Sequence, residues 1–135
     1  MLPYAQDIGL ESYGGGTGLI NGVEAQSAEE WRWAVAAFKF GWAGRFLYQV
    51  PVGGGSSRRG GVELDFLFFT IPSYTPIFID GFYWHSANAD EAFGRTKNLA
   101  LLGIPYNQER MVVWDYEIPD QELTDQVFLT RIGQA

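Results

Sequence analysis

Residues 62–70, VELDFLFFT, and 76–85, PIFIDGFYWH, decide how this chain is read. Both are strand-length runs of apolar, β-branched and aromatic residues. Each carries a carboxylate where an apolar strand tolerates one poorly. Asp65 sits between Leu64 and Phe66, a costly place for a charge unless it is paired, protonated or bound to a metal. Glu63 lies two residues earlier, on the same face of the strand. Asp80 ends the second run, and His85 follows Gly81-Phe82-Tyr83-Trp84. If the two strands pair, Asp65 and Asp80 converge at one end of a sheet.

Working outward, Ser27-Ala28-Glu29-Glu30 has the S-x-x-E form of a capping box, and Trp31, Ala34, Val35 and Phe38 follow at helical spacing. This predicts a helix from Ser27 to Gly41 or Gly44. Trp31 and Trp33 are two apart on it, so only one is expected to face the core. Residues 45–52 (RFLYQVPV) read as a strand. Residues 53–61 (GGGSSRRGG) read as a flexible turn holding Arg58 and Arg59. Residues 87–102 predict a second helix with Ala92, Leu99 and Leu102 inward, stopped by Gly103 and Pro105. Residues 110–116 (RMVVWDY) read as a last strand. Pro119 and Asp120 open a C-terminal helix through about residue 132, with acids in its first turn. The order is α-β-β-β-α-β-α. A meander, a crossover helix and a further strand predict an α/β (α+β) domain with a mixed sheet flanked by helices.

Three stretches organise the chain: a glycine-rich N-terminal arm (1–26), a core (27–116) and an acidic C-terminal helix (117–135). The arm lacks periodicity and is expected to be loop or extended chain, lying on its own domain or on a neighbouring subunit. With 135 residues, 47% hydrophobic and 19% charged, the chain is one domain with a substantial core. The N-terminus has no basic start and no apolar run, and no stretch is long enough to span a bilayer, so neither a secretory signal nor a membrane is expected. Absence of Cys excludes disulfides, thiol chemistry and Cys-based metal sites, and makes a cytoplasmic life the default. The net charge is −7, but it is uneven. Residues 1–30 carry five acids and no Lys or Arg, whereas residues 31–97 carry seven basic residues against five acids. The middle of the chain is thus the part suited to a phosphate backbone.

Hard oxygen ligands without thiolates suit Mg²⁺. A single His beside them suits a general base, since its pKa lies near neutrality. Glu30, Asp65, Asp80 and His85 together make a site for metal-assisted phosphodiester hydrolysis. Each also has a structural reading: Asp80 as a turn residue before Gly81, Glu30 as the third residue of the capping box, Arg58 and Arg59 as a solubilising loop. The glycine clusters lack the Lys-Ser/Thr end of a P-loop, and no G-x-S-x-G elbow is present.

The same pieces resemble a known family. Glu30 in SAEE, Gln49 in FLYQVP, Asp65-Phe66, the Gly81–His85 segment, Leu102-Gly103 and MVVW are similar to the core of very-short-patch-repair-like endonucleases and related small nucleases and homing endonucleases. The resemblance covers roughly residues 27–116. It implies a restriction-endonuclease-like fold, Mg²⁺ held by Asp65 with the Ile79 backbone carbonyl, His85 as the base that activates water, and Glu30 as support from the first helix. The Lys of the common pattern is absent, and Phe78 stands where one branch has a Glu. Arg58, Arg59, Gln49, Arg95 and Lys97 are the residues expected against DNA. Two readings follow: a Mg²⁺-dependent DNA endonuclease or nickase of phage or mobile-element origin, and a catalytically inactive nuclease-fold protein that assembles through its N-terminal arm, for example in a virion.

Overall fold

The computed structural model describes residues 6–52, 62–81 and 89–135. Three short strands come first: β1 (Leu10–Gly14), β2 (Thr17–Ile20) and β3 (Val23–Glu24). They form a small antiparallel sheet of their own. Helix α1 (Ala28–Lys39) follows, then β4 (Phe46–Val52), β5 (Val62–Phe68) and β6 (Thr75–Asp80). Helix α2 (Ala89–Ala100), the short helix α3 (Gln108–Met111), β7 (Val112–Trp114), a 3-10 turn and α4 (Gln121–Arg131) complete the chain.

The main sheet runs β4-β5-β6-β7. The first three strands are an antiparallel meander, and β7 returns parallel to β6 after the crossover through α2. The VELDFLF and TPIFID strands are therefore the two central ones. α1 and α4 cover one face of the sheet, where Trp33, Phe46, Tyr48, Phe66, Phe68 and Phe128 form an aromatic core. α2 and α3 cover the other, over Leu47, Leu64, Leu67 and Phe78. The layered α+β class expected from the element order is present. Among the described residues no helix is long and apolar enough to cross a membrane.

Ser27 caps α1: its Oγ accepts from the Glu30 N–H at 3.1 Å. Gly41, at φ +90°, ends the helix, with Trp42 N–H returning to the Ala37 carbonyl at 2.9 Å. Asp120 caps α4 in the same way as Ser27 caps α1.

Four expectations need correction. Residues 10–24 are not a loop or an extended arm. Asn21-Gly22, both at positive φ, closes the β2–β3 hairpin, and this dipeptide is a standard two-residue hairpin signal. Ile20 is fully buried in the core, so the segment lies on its own domain. Second, Trp31 and Trp33 are both buried, because α1 is covered on more than one side: by the main sheet, by β2 and by α4. Third, Leu102 is exposed: the chain turns after Ala100, with Gly103 at φ +70°, and Ile104 takes the inward position instead. Fourth, the last strand is shorter than read. Asn107 caps the turn of helix at 108–111, and strand pairing holds only for residues 112–114.

Gly18 sits where β1 and β2 touch, and a Cβ there would lie 2.0 Å from the Glu11 carbonyl oxygen. Gly18→Ala is expected to cost about 1–3 kcal/mol in urea unfolding, the usual penalty of forced overpacking. Gly94→Ala, in α2 with open space around it, is expected to add about 0.5–1 kcal/mol.

Candidate active site

The site forms where the regular sheet fails. On β4, Phe46 and Tyr48 face the α1 side and Leu47 the α2 side, as alternation requires. Beyond Gln49 the order reverses, and Val50 and Val52 lie with the α2 core. β5 shows the matching fault. Phe66 and Phe68 face α1, but Leu64 lies on the α2 side with Leu67. Tyr48 remains opposite Phe66 and Val50 opposite Leu64, so Gln49 and Asp65 are the two opposed residues at which both strands reset. Gln49 adopts φ +57°, a conformation that residues other than glycine seldom take within a strand.

The β5–β6 ladder ends at the Phe66–Ile77 pair. Past it, Asp65 replaces the main chain: its Oδ2 accepts the Ile79 N–H at 2.7 Å. The N–H and C=O of one strand residue point to the same side, so the Ile79 carbonyl faces the gap beside Asp65.

Glu30 reaches this place from the first turn of α1 and is buried. Its Oε2 accepts from Ser27 Oγ at 2.9 Å. Its Oε1 accepts from the Tyr48 hydroxyl at 2.7 Å and from Gln49 Nε2 at 2.9 Å. The capping box thus differs from the standard form: the Glu30 carboxylate bonds the Ser27 hydroxyl and points inward. Tyr48 is in turn held by the Gln26 N–H on its hydroxyl at 2.9 Å and by the Gln6 side chain, which bonds both its main-chain N–H and its carbonyl.

Asp80 is buried at the same end of the sheet, two residues beyond the position opposite Asp65. It is paired. Arg95 of α2 places NH2 at 3.0 Å from Oδ1 and NH1 at 2.8 Å from Oδ2, with its guanidinium 3.9 Å from the centroid of the Phe78 ring. Arg95 therefore serves Asp80 inside the protein and is not presented to DNA as expected. Its sequence signal was its position four residues before Leu99 on the inward side of α2, where a charge requires a partner. Gln49, also expected against DNA, points its amide at Glu30. Lys97 is exposed on α2, and Glu63 is exposed opposite Pro51, apart from the cluster. His85, Arg58 and Arg59 lie outside the described residues, as does the expected turn at 53–61.

Burial pushes the Asp65 carboxyl well above the ordinary carboxylate range, and the charges of Glu30 and Asp80 push it further. The Ile79 N–H and Arg95 pull it down without offsetting the rise. Glu30 is raised too, mainly by burial, against the three hydrogen bonds it accepts. Tyr48 is raised by burial and then by Glu30, so it stays protonated and donates. Two neighbouring carboxylates in apolar surroundings are stabilised by protons or by a cation. Among the described residues no three acidic or His side chains gather as a complete ligand set. Two carboxylates and a main-chain carbonyl fit Mg²⁺, which keeps several waters and takes only one or two carboxylates besides a substrate phosphate.

No protein family, curated protein or solved structure matches this chain.

In the native state Asp65 keeps its proton to a higher pH than in the unfolded chain. Above the ordinary carboxylate value of about 3.9, unfolding therefore releases protons, and stability falls as pH rises until the native pKa is passed. Asp65→Asn removes that loss, and its amide oxygen still accepts the Ile79 N–H. Without divalent cations the variant is expected to be the more stable protein in urea at neutral pH, with the gap closing as pH falls toward the ordinary carboxylate range. A wild type more stable than Asp65→Asn at neutral pH contradicts an unneutralised buried charge.

Proposed function

We propose that the chain is a Mg²⁺-dependent DNA endonuclease or nickase built on a restriction-endonuclease-like core. The observation that carries this reading is the meeting of Glu30 and Asp65 at the parting of β5 and β6. Two carboxylates from distant parts of the sequence lie there with the Ile79 main chain and, among the described residues, without a protein cation bonded to either. The meander-crossover-strand topology, the resemblance of residues 27–116 and the basic middle of the chain support it.

In this reading Asp65, Glu30 and the Ile79 carbonyl hold the cation at the sheet end. The bound cation supplies charge stabilisation to the scissile phosphate and lowers the pKa of water. His85, four residues past Gly81, takes the proton of the attacking water. Asp80 is already neutralised by Arg95, so it shapes the site and is not a ligand. Arg58 and Arg59, which lie between β4 and β5 in the sequence, contact phosphate.

The test is relaxation of supercoiled plasmid with Mg²⁺ and with EDTA, by the wild type and by Asp65→Asn and Glu30→Gln. Cleavage is expected only with Mg²⁺ and is expected to be lost in Asp65→Asn. His85→Ala should lower the single-turnover rate by about 10²–10⁴, the usual contribution of a positioned base, with DNA affinity retained. A wild type that neither cleaves nor gains thermal stability from Mg²⁺ supports instead the assembly protein with an inactive nuclease fold.

A further inference from the structure

We propose that Gln49 is the positioning residue of the cation site: its left-handed backbone turns the carboxamide to the α1 side, where it and the Tyr48 hydroxyl together occupy Oε1 of Glu30 and leave Oε2 to take the cation beside Asp65. The proposal rests on the reading of Glu30 and Asp65 as cation ligands.

Consecutive residues of a regular strand point to opposite faces, so Tyr48 and Gln49 should not reach one atom. They do: Tyr48 Oη lies 2.7 Å and Gln49 Nε2 2.9 Å from the same oxygen of Glu30. The φ of +57° at Gln49 makes this possible, and the reversal of Val50 and Val52 to the α2 core is its consequence. A left-handed residue other than glycine is strained, and such strain persists only where the surroundings fix it. Glycine would relieve it but has no amide to offer Glu30.

The carboxylate of Glu30 has about four acceptor positions. Tyr48 and Gln49 fill the two on Oε1, and Ser27 Oγ, at 2.9 Å, fills one on Oε2. Among the described residues, one position on Oε2 is left. Groups that orient a metal ligand in this way typically change metal affinity by about 10–100-fold when removed.

The experiment is titration calorimetry of Mg²⁺ alone into the full chain, without DNA, for wild type, Asp65→Asn, Gln49→Met and Gln49→Gly. Wild type is expected to bind and Asp65→Asn not to. Gln49→Met keeps the bulk and loses the donor; Gln49→Gly keeps the left-handed backbone without strain and loses the donor as well. Both are expected to bind about 10–100-fold more weakly than wild type. Should Gln49→Met fail to fold, Gln49→Gly decides alone. Unchanged Mg²⁺ affinity in either folded Gln49 variant overturns the positioning role and leaves the cation site standing. Absence of Asp65-dependent binding in the wild type overturns the cation site itself, and the proposal with it.

Discussion

Two carboxylates that cannot both be charged without help, Glu30 and Asp65, set the terms for the rest of the structure. Desolvating a carboxylate is among the costliest things a fold can do. Glu30 is given three donors, from Ser27, Tyr48 and Gln49. Among the described residues, Asp65 is given one main-chain N–H, that of Ile79. That N–H is available only because the β5–β6 ladder stops at Ile77. Much of the site's surroundings serves these two groups: the inward-facing end of α1, the interrupted alternation of β4 and β5, and the early parting of the central strands.

The third acid shows the contrast. Asp80 is buried too, yet Arg95 neutralises it, and Phe78 lies against the guanidinium. A buried pair of this kind adds little net stability but is expensive to break. It ties α2 to the end of β6. One side of the sheet end is therefore closed electrostatically, and the other, around Asp65 and Glu30, has no bonded cation among the described residues.

A region strained in this way needs a stiff frame. The α1 face of the sheet supplies it with stacked and tilted rings: Phe46 on Phe68 at 5.1 Å between centroids, Tyr48 on Phe66 at 5.0 Å, and Trp33 on Phe128 at 5.0 Å. Tyr48 belongs both to this core and to the site, so its hydroxyl is positioned by packing. Gln6 and Gln26, on either side of the N-terminal sheet in the sequence, add a second hold on it.

The sequence by itself determined three of the helices, the four main strands and their mixed topology, because caps, glycine stops and apolar runs act locally and the connection rules leave few choices. It also marked Asp65 and Glu30, the first because a charge in an apolar strand demands an explanation, the second through the capping box. The N-terminal hairpin was legible in Asn21-Gly22 and was masked by the surrounding glycines. Tertiary structure alone decided the rest. The burial of both Trp31 and Trp33 depends on what covers α1, which no periodicity within the helix records. Asp80 is distinguished from Asp65 by Arg95, an ion pair across fifteen positions and two elements. The alignment of Tyr48 and Gln49 on one oxygen arises from a single left-handed residue within a strand, and local propensity argues against that conformation. Only the combined demands of Glu30, Tyr48 and the paired strand β5 hold it in place.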